Sequence, residues 1–429
     1  MIHKIIYKLG IWKRNPSIPR IYKELLESDK WTIEQLEANQ FEKLKKLLQF
    51  AYDYSDYYHK VFDEVGFTPS SMTSINDIKS LPIIDKKTLI EENERIHTNY
   101  KFKHSNRLSE TSGTTGASLR FLRNEEWDSS ARAALFRGYS WYGVKPWEKN
   151  GFFWGYNIDP KKRFIVRIQD WLQNRFRIFS YNQDEIRTFA KKLSKNTKFI
   201  GGYSSMIYET AKVVNKLGIS GDINLKLIRG TSEKIYETYQ EEVQKAFGQR
   251  IRSQYGSAES GCIAMECPCG KMHVVMENVY VEELDGEIVV TNLYSYSFPI
   301  IRYKLGDAIK LAPSSYKCEC GRAHPVIEDV LGRVGKSIIG KKQSFPSLTL
   351  YYVFKNIGLN KDVMLNYQCV QEKEGEAVLN IEQNMPEYLP LVETEIKKYF
   401  GDDVDFVINW GQKLHKMDGK MKDFISKIA

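Results

Sequence analysis

The sequence predicts an α/β protein. It has a large N-terminal domain of parallel strands covered by helices, an antiparallel β portion, and a small α+β domain at the C-terminus. Three observations carry this reading. From about residue 184 strands and helices alternate, and parallel neighbours need such crossovers because a tight turn cannot join them. Asp285-Gly286 separates two short runs, Tyr280 to Leu284 and Glu287 to Thr291, as a two-residue hairpin turn does. From about Gly335 to Ala429 a helix, a hairpin, a second helix and a strand follow in under a hundred residues.

Composition agrees with a folded body. A chain of 429 residues has room for two or three domains and a sizeable core. Its hydrophobic fraction of 42% and charged fraction of 27% are those of a globular protein and exclude a disordered tail or a small disulfide-stapled module. The net charge of +9 is spread along the chain. Dispersed basic residues without a recognition motif argue against nucleic acid, while nucleotides and anionic lipids remain acceptable partners. No apolar run reaches the roughly 18 residues of a transmembrane helix, and Met1 to Ile11 is too polar for a signal peptide, so the cytoplasm is expected.

The first hundred residues read as helices. Leu36, Phe41, Leu44, Leu47 and Leu48 form one stripe on Ile33 to Phe50, which Ala51 to Phe62 continues, and Asp85 N-caps a further helix. Beyond residue 184, strand Phe199-Ile200 leads through Gly201-Gly202 into a helix from Ser204 to Leu217. Leu225 to Ile228 turns at Gly230 into a helix from Glu233 to Phe247. A strand from Arg250 to Tyr255 stops at Gly256, and the antiparallel style begins after Cys269. Ligands of parallel sheets bind beyond the carboxyl ends of the strands, where these glycines fall. The terminal domain has a helix from Leu348 to Ile357, a hairpin at Glu374-Gly375, a helix ending at Phe400 and a strand from Val404 to Asn409.

The segment Thr111-Ser112-Gly113-Thr114-Thr115-Gly116-Ala117-Ser118 has only small and hydroxyl side chains. Such a loop leaves backbone N–H groups open and adds hydroxyl donors, which suits a polyphosphate. No Gly-Lys-Ser/Thr follows, so it is not a Walker A loop. The strand-like Leu119 to Leu122 makes a join between two strands the better reading than a flexible linker.

With this loop, Tyr255-Gly256-Ser257-Ala258-Glu259, Tyr303-Lys304-Leu305-Gly306-Asp307, Gly332-Arg333 and Gly419-Lys420 stand in the order and spacing of the acyl-adenylate-forming superfamily. Nearly the whole chain resembles it, most of all the phenylacetate-CoA ligase branch and its members associated with capsular polysaccharide synthesis. The resemblance implies an N-terminal adenylation domain, residues 1–334, and a mobile lid, residues 335–429. It also implies two steps: a carboxylic acid attacks the α-phosphorus of ATP, and then a thiol such as coenzyme A, or an amine, displaces AMP.

On this resemblance the loop Thr111 to Gly116 holds the β- and γ-phosphates and Tyr255 stacks on adenine beside Gly256. Glu259 coordinates Mg²⁺, Glu233 lies near adenine, and Asp307 accepts both ribose hydroxyls. Arg333 reaches ribose or phosphate oxygens. Lys420 is the catalytic lysine, placing its ammonium against negative charge that builds on the departing oxygen. Ser232 stands where the family has glycine, and Gly335 where it has Asp or Lys.

Five of the six cysteines fall between residues 262 and 320. Cys267-Pro268-Cys269-Gly270-Lys271-Met272-His273 and Cys318-Glu319-Cys320-Gly321-Arg322-Ala323-His324 repeat one pattern, C-x-C-G-x-x-H. Two thiolate pairs supply the four soft ligands of a closed structural Zn²⁺ site. Cys267, Cys269, Cys318 and Cys320 form the first set; the segment Glu266-Cys267 followed by His273 resembles zinc-bearing relatives, which implies that His273 could replace Cys269, and His324 and Cys262 are weaker candidates. The acid pocket draws on residues 140 to 260, where Trp141, Trp154, Tyr156 and Tyr203 line a cavity or simply fill core. A homo-oligomer is compatible with the sequence. The alternative from another class is a nucleotide-binding scaffold without turnover.

Overall fold

An apolar stripe on a long helix organises the N-terminal region. The computed structural model describes residues 2–111, 119–153, 160–178, 183–193, 196–232, 235, 237–333, 337–361, 363, 365, 367–414, 416–417, 420–421 and 424–428. Helices α1 (Ile2–Arg14), α2 (Ile18–Ser28), α3 (Ile33–Tyr54) and α4 (Asp56–Glu64) come first. Thr32 and Gln35 form a capping box at the start of α3, which buries Leu36, Leu44, Leu47, Leu48 and Ala51. The helical run read through Phe62 breaks at Ser55. Its backbone is extended and its hydroxyl accepts from the Tyr58 N–H, so one residue caps both helices.

Asp85 caps α5 (Lys86–Glu91) by accepting from the Thr88 N–H at 2.8 Å, and α6 (Asn93–Ile96) follows. Strands β1 (Arg107–Glu110) and β2 (Arg120–Arg123) pair antiparallel, with Glu110 opposite Arg120. The hydroxyl-rich segment thus connects two strands, as expected. Helix α7 (Glu125–Ser140) comes next, with Glu125, Glu126 and Asp128 in its first turn, where the helix dipole favours anions.

The main sheet then begins with β3 (Asn150–Phe153), α8 (Pro160–Leu172), β4 (Arg175–Ile178), α9 (Gln183–Lys192), β5 (Phe199–Tyr203), α10 (Ser204–Leu217), β6 (Leu227–Thr231), α11 (Glu237–Phe247) and β7 (Arg252–Ser257). Its parallel half therefore starts at Asn150, earlier than the residue-184 boundary read from the sequence, in the order β4-β3-β5-β6-β7. The glycines at 201, 202, 230 and 256 lie inside strands instead of ending them. The cause is close approach: a Cβ at Gly202 would run into the Phe153 carbonyl, and one at Gly230 into Ser204 Oγ and Ile251.

The antiparallel half begins at Gly261, before Cys269, because the turn at 258–260 already reverses the chain. It comprises β8 (Gly261–Glu266), β9 (Met272–Val274), β10 (Val279–Leu284), β11 (Glu287–Asn292), β12 (Tyr303–Leu311) and β13 (Val326–Arg333), in the order β7-β8-β9-β13-β12-β11-β10. Asp285 and Gly286, with φ of 51° and 76°, make the expected left-handed hairpin turn. Arg302 joins this half to the N-terminal helices. It pairs with Glu282 through two nitrogens (2.9 and 3.1 Å) and donates to the Lys79 carbonyl.

Residues 337–426 hold β14 (Ser337–Ile339), β15 (Ser344–Pro346), α12 (Leu348–Lys361), β16 (Tyr367–Lys373), β17 (Glu376–Ile381), α13 (Leu389–Phe400), β18 (Asp405–Asn409), β19 (Lys416–Met417), β20 (Lys420–Met421) and β21 (Phe424–Ser426). A four-stranded sheet, β18-β17-β16-β21, packs on a hydrophobic cluster of its own that includes Leu350, Val353, Ile357, Leu379, Ile381 and Val392. The helix–hairpin–helix–strand order matches the expected α+β domain.

Candidate functional site

Strand register assembles the first part of the site. Gly202 pairs with Gly230, Tyr203 with Thr231, and Thr231 with Gln254. The strand ends therefore align and bring Tyr203, Ser232 and Tyr255 to one edge of the parallel half. Ser232 has φ 67°, a left-handed conformation that costs an L-residue about 1–2 kcal/mol. Glycine in that place would have no such cost. Beyond Tyr255 the ladder bulges, and a Cβ at Gly256 would collide with the Gly261 carbonyl oxygen.

The antiparallel half supplies the opposite wall. The Tyr255 hydroxyl donates to Asp307 Oδ2 at 2.7 Å, and the Tyr303 hydroxyl to Glu259 Oε1 at 3.4 Å. Glu259 is buried in the turn after β7, where its carbonyl accepts from Asn292 Nδ2. Tyr303 and Asp307 belong to β12, four strands from β7 in hydrogen-bonding order. At about 4.8 Å per strand a flat sheet would hold them about 19 Å apart, too far for these side chains to meet. The sheet must roll, and the roll closes a crevice at the strand ends. Within that wall Asp307 stands opposite Arg333 in the β12–β13 ladder.

Tyr255, Gly256, Glu259 and Asp307 are thus gathered, with the Arg333 backbone beside them. Thr111 is buried where the β1–β2 hairpin opens, its N–H on the Leu119 carbonyl and its Oγ1 accepting from the Leu119 N–H. Ser112, Gly113, Thr114, Thr115, Gly116 and Glu233 lie outside the described residues, as do Trp154, Tyr156 and the side chains of Arg333 and Lys420. The Lys420 backbone belongs to β20, paired with β19. Tyr303, four residues before Asp307 on the same strand, joins the group through its contact with Glu259.

The cysteine segments form a second centre. Cys267, His273, Cys318 and Cys320 place their ligand atoms within 4.8 Å of one another. Cys267 Sγ lies 3.8 Å from Cys318 Sγ, and Cys320 Sγ lies 3.2 Å from His273 Nε2. Among the described residues this set leaves out Cys269, which is exposed, as well as Cys262 and His324. His273 takes the place first read for Cys269, because β9 carries its ring inward while the Cys269 turn faces solvent.

Three thiols and one imidazole fit a closed tetrahedral Zn²⁺ site, whose S···S edge at a Zn–S length of about 2.3 Å is about 3.8 Å. His273 Nδ1 donates to the His324 carbonyl at 3.0 Å, leaving Nε2 for the ligand position. Burial lowers the His273 pKa to about 4, so the ring is neutral at pH 7, the form that binds metal. Burial pushes Cys318 up to about 11 and raises Cys267. Cys320 is lowered because the Arg322 N–H and guanidinium outweigh its burial.

Behind this cluster lies a network the sequence reading missed. Glu277, 1% exposed, accepts from Arg137 Nη1 (2.8 Å) and the Ser28 hydroxyl and lies 2.8 Å from His324 Nε2. Its pKa is held far below the usual carboxylate range, since Arg137 and His324 outweigh the burial that would raise it. The signal was Glu277 in the mostly apolar stretch Val274 to Val279, where its one polar neighbour is Asn278. Trp141 belongs here as well: it lies 4.2 Å under the Arg322 guanidinium and donates to Asp29 at 2.8 Å.

A mixed sheet rolled at its strand ends and followed by a small α+β unit has counterparts among solved structures. The crystal structure of 2-hydroxyisobutyryl-CoA ligase in the postadenylation state, in complex with 2-HIB-AMP, has this fold. It superposes with TM-score 0.64 and 15% identity over 93% of this chain and 91% of that one. Two curated relatives also align. Protein CapK of Staphylococcus aureus is 25% identical over 399 residues, covering 86% of this chain and 84% of its own length. The phenylacetate-coenzyme A ligase of Thermus thermophilus is 23% identical over 393 residues, covering 82% of each. No family model matches the chain. The chain is thus similar in sequence to a coenzyme A ligase and to protein CapK, and similar in fold to a second coenzyme A ligase.

Proposed function

We propose that the protein activates a carboxylic acid with ATP and passes the acyl group to coenzyme A or to an amine. One observation carries the reading: Tyr255 and Asp307, from strands far apart in the sheet, meet at 2.7 Å at the rim of the crevice. That pairing puts an aromatic ring and a fixed carboxylate together, as an adenosine needs for its base and its ribose. In the first step a carboxylate oxygen bonds to the α-phosphorus and the bond to pyrophosphate breaks. In the second, a thiol or amine attacks the acyl carbon, loses its proton and displaces AMP.

In this reading the loop from Thr111 to Gly116 binds the leaving phosphates and Glu233 lines the adenine pocket. Arg333 contacts ribose or phosphate oxygens, and Lys420 faces the charge that develops in the transition state. Glu259 would hold Mg²⁺, which neutralises phosphate charge. Cys267, His273, Cys318 and Cys320 would hold Zn²⁺, which serves structure. Residues 335–429 act as the lid that delivers Lys420. The resemblance to members associated with capsular polysaccharide favours a sugar-borne amine among the acceptors.

The test is pyrophosphate release across aryl, aliphatic, amino and uronic acids, with and without coenzyme A. Lys420→Ala is expected to lower adenylation at least about a hundredfold with an unchanged circular dichroism spectrum. Unchanged turnover would remove the lysine from the mechanism. ATP binding without pyrophosphate release for every acid would favour a silent homologue.

A further inference from the structure

Helix α1 buries no residue. Its Ile2, Ile5, Leu9 and Trp12 are 55–76% exposed, and their spacing of three and four residues places them on one stripe. On α8, Phe164, Ile165, Ile168 and Trp171 are 47–71% exposed. The two helices touch, the His3 ring meeting Trp171 edge-on with centroids 6.0 Å apart. Single exposed apolar residues are ordinary, but eight large ones, two of them tryptophans, on neighbouring helices mark an interaction surface.

Helix α1 is also fastened to the body. Tyr7 and Ile11 pack against a core cluster, and at the end of the helix Asn15 donates to Asp128 (2.9 Å) and to Ser129. The stripe is a fixed face of the folded chain.

Charge indicates what covers it. Helix α1 carries Lys4, Lys8, Lys13 and Arg14, all exposed, and no acidic residue. Helix α8 opens with Lys161-Lys162-Arg163 and adds exposed Arg167, while its one acid, Asp170, is buried and paired with Arg177. At the end of α1, Arg14 and Arg132 lie 3.9 and 3.1 Å from Asp128, and Arg107 donates to the Arg14 carbonyl at 3.4 Å. Burial, and after it the nearby charges of Arg132 and Arg107, depress the Arg14 pKa.

We propose that α1 and α8 form a docking face for an anionic lipid bilayer, with the apolar stripes entering the headgroup boundary and the Lys and Arg side chains meeting lipid phosphates. Amphipathic helices with aromatic and aliphatic residues on one side and basic residues beside them lie in that plane. A second copy of the chain fits less well, because a two-fold contact would set this cationic patch against itself. The docking is peripheral, since no described helix is long and apolar enough to cross a membrane.

Co-sedimentation of the full chain with phosphatidylcholine vesicles, with or without phosphatidylglycerol, tests this. Binding is expected only with phosphatidylglycerol, and it should weaken as salt rises. The double variant Leu9→Ser/Trp12→Ser should lose at least about tenfold in binding, as should Lys8→Glu/Lys13→Glu, with melting temperature and pyrophosphate release unchanged. The charge variant exposes no core and keeps the test valid if the serine variant folds poorly. Equal binding to neutral vesicles, no vesicle binding, or variants that bind like the parent would overturn the proposal. So would a dimer in sedimentation velocity that dissociates in the charge variant, which would assign the face to a second copy.

Discussion

At Glu277 a carboxylate has been withdrawn from water and surrounded by Arg137, His324 and Ser28. Removing one partner of such a buried pair leaves a charge stranded and costs about 3–5 kcal/mol. Glu277→Gln should destabilise the protein by that order at pH 7 in chemical denaturation. The sign with pH follows from the depressed folded-state pKa. The stabilisation is complete above the unfolded value of about 4.3 and is lost as pH falls below it. The gap between parent and variant should therefore narrow below about pH 4; a gap independent of pH would mean the carboxylate is not ionised in the fold. In the crevice, Asp307→Asn keeps the size of the side chain but loses the charged bidentate acceptor, and should raise the KM for ATP roughly tenfold to a hundredfold. Steady-state kinetics at saturating acid would show it.

Elements join what residues begin. Strand β9 has three residues and meets β13 through two register pairs, His273 with Val326 and Met272 with Ile327. Across that short junction sit Cys267 at the end of β8, His273 on β9, and Cys318 and Cys320 between β12 and β13. Cys318→Ser should abolish stoichiometric zinc, read by elemental analysis, and lower the melting temperature, because the four ligands join segments that few backbone bonds hold. Zinc at parent level in the variant would remove Cys318 from the set. The cysteine pairs were visible in the sequence as a repeated pattern. The choice of His273 over Cys269 was not, because it depends on which side of a three-residue strand faces inward. The glycines were visible as well but were misread as strand ends, since sequence does not distinguish a glycine needed for a turn from one needed for close approach.

For the molecule as a whole, the three-part architecture was legible because hydrophobic period and turn residues are local signals, and Asp285-Gly286 and Ser204 to Leu217 fell where expected. The roll of the sheet was hidden, because the meeting of Tyr255 with Asp307 depends on strand order. The separate hydrophobic cluster of residues 338–424 leads to a further expectation. Calorimetry should resolve two unfolding transitions, and a nucleotide bound mainly by the larger body should raise the temperature of its transition more. A single transition would mean the two cores melt as one.

The rolled sheet works like an open book whose spine is the β9–β13 seam, with the Tyr255–Asp307 contact between the covers and the cysteine–histidine cluster as stitches. A loosened stitch would let the covers swing apart, so the proposed grip on adenosine would fail although neither Tyr255 nor Asp307 had been altered.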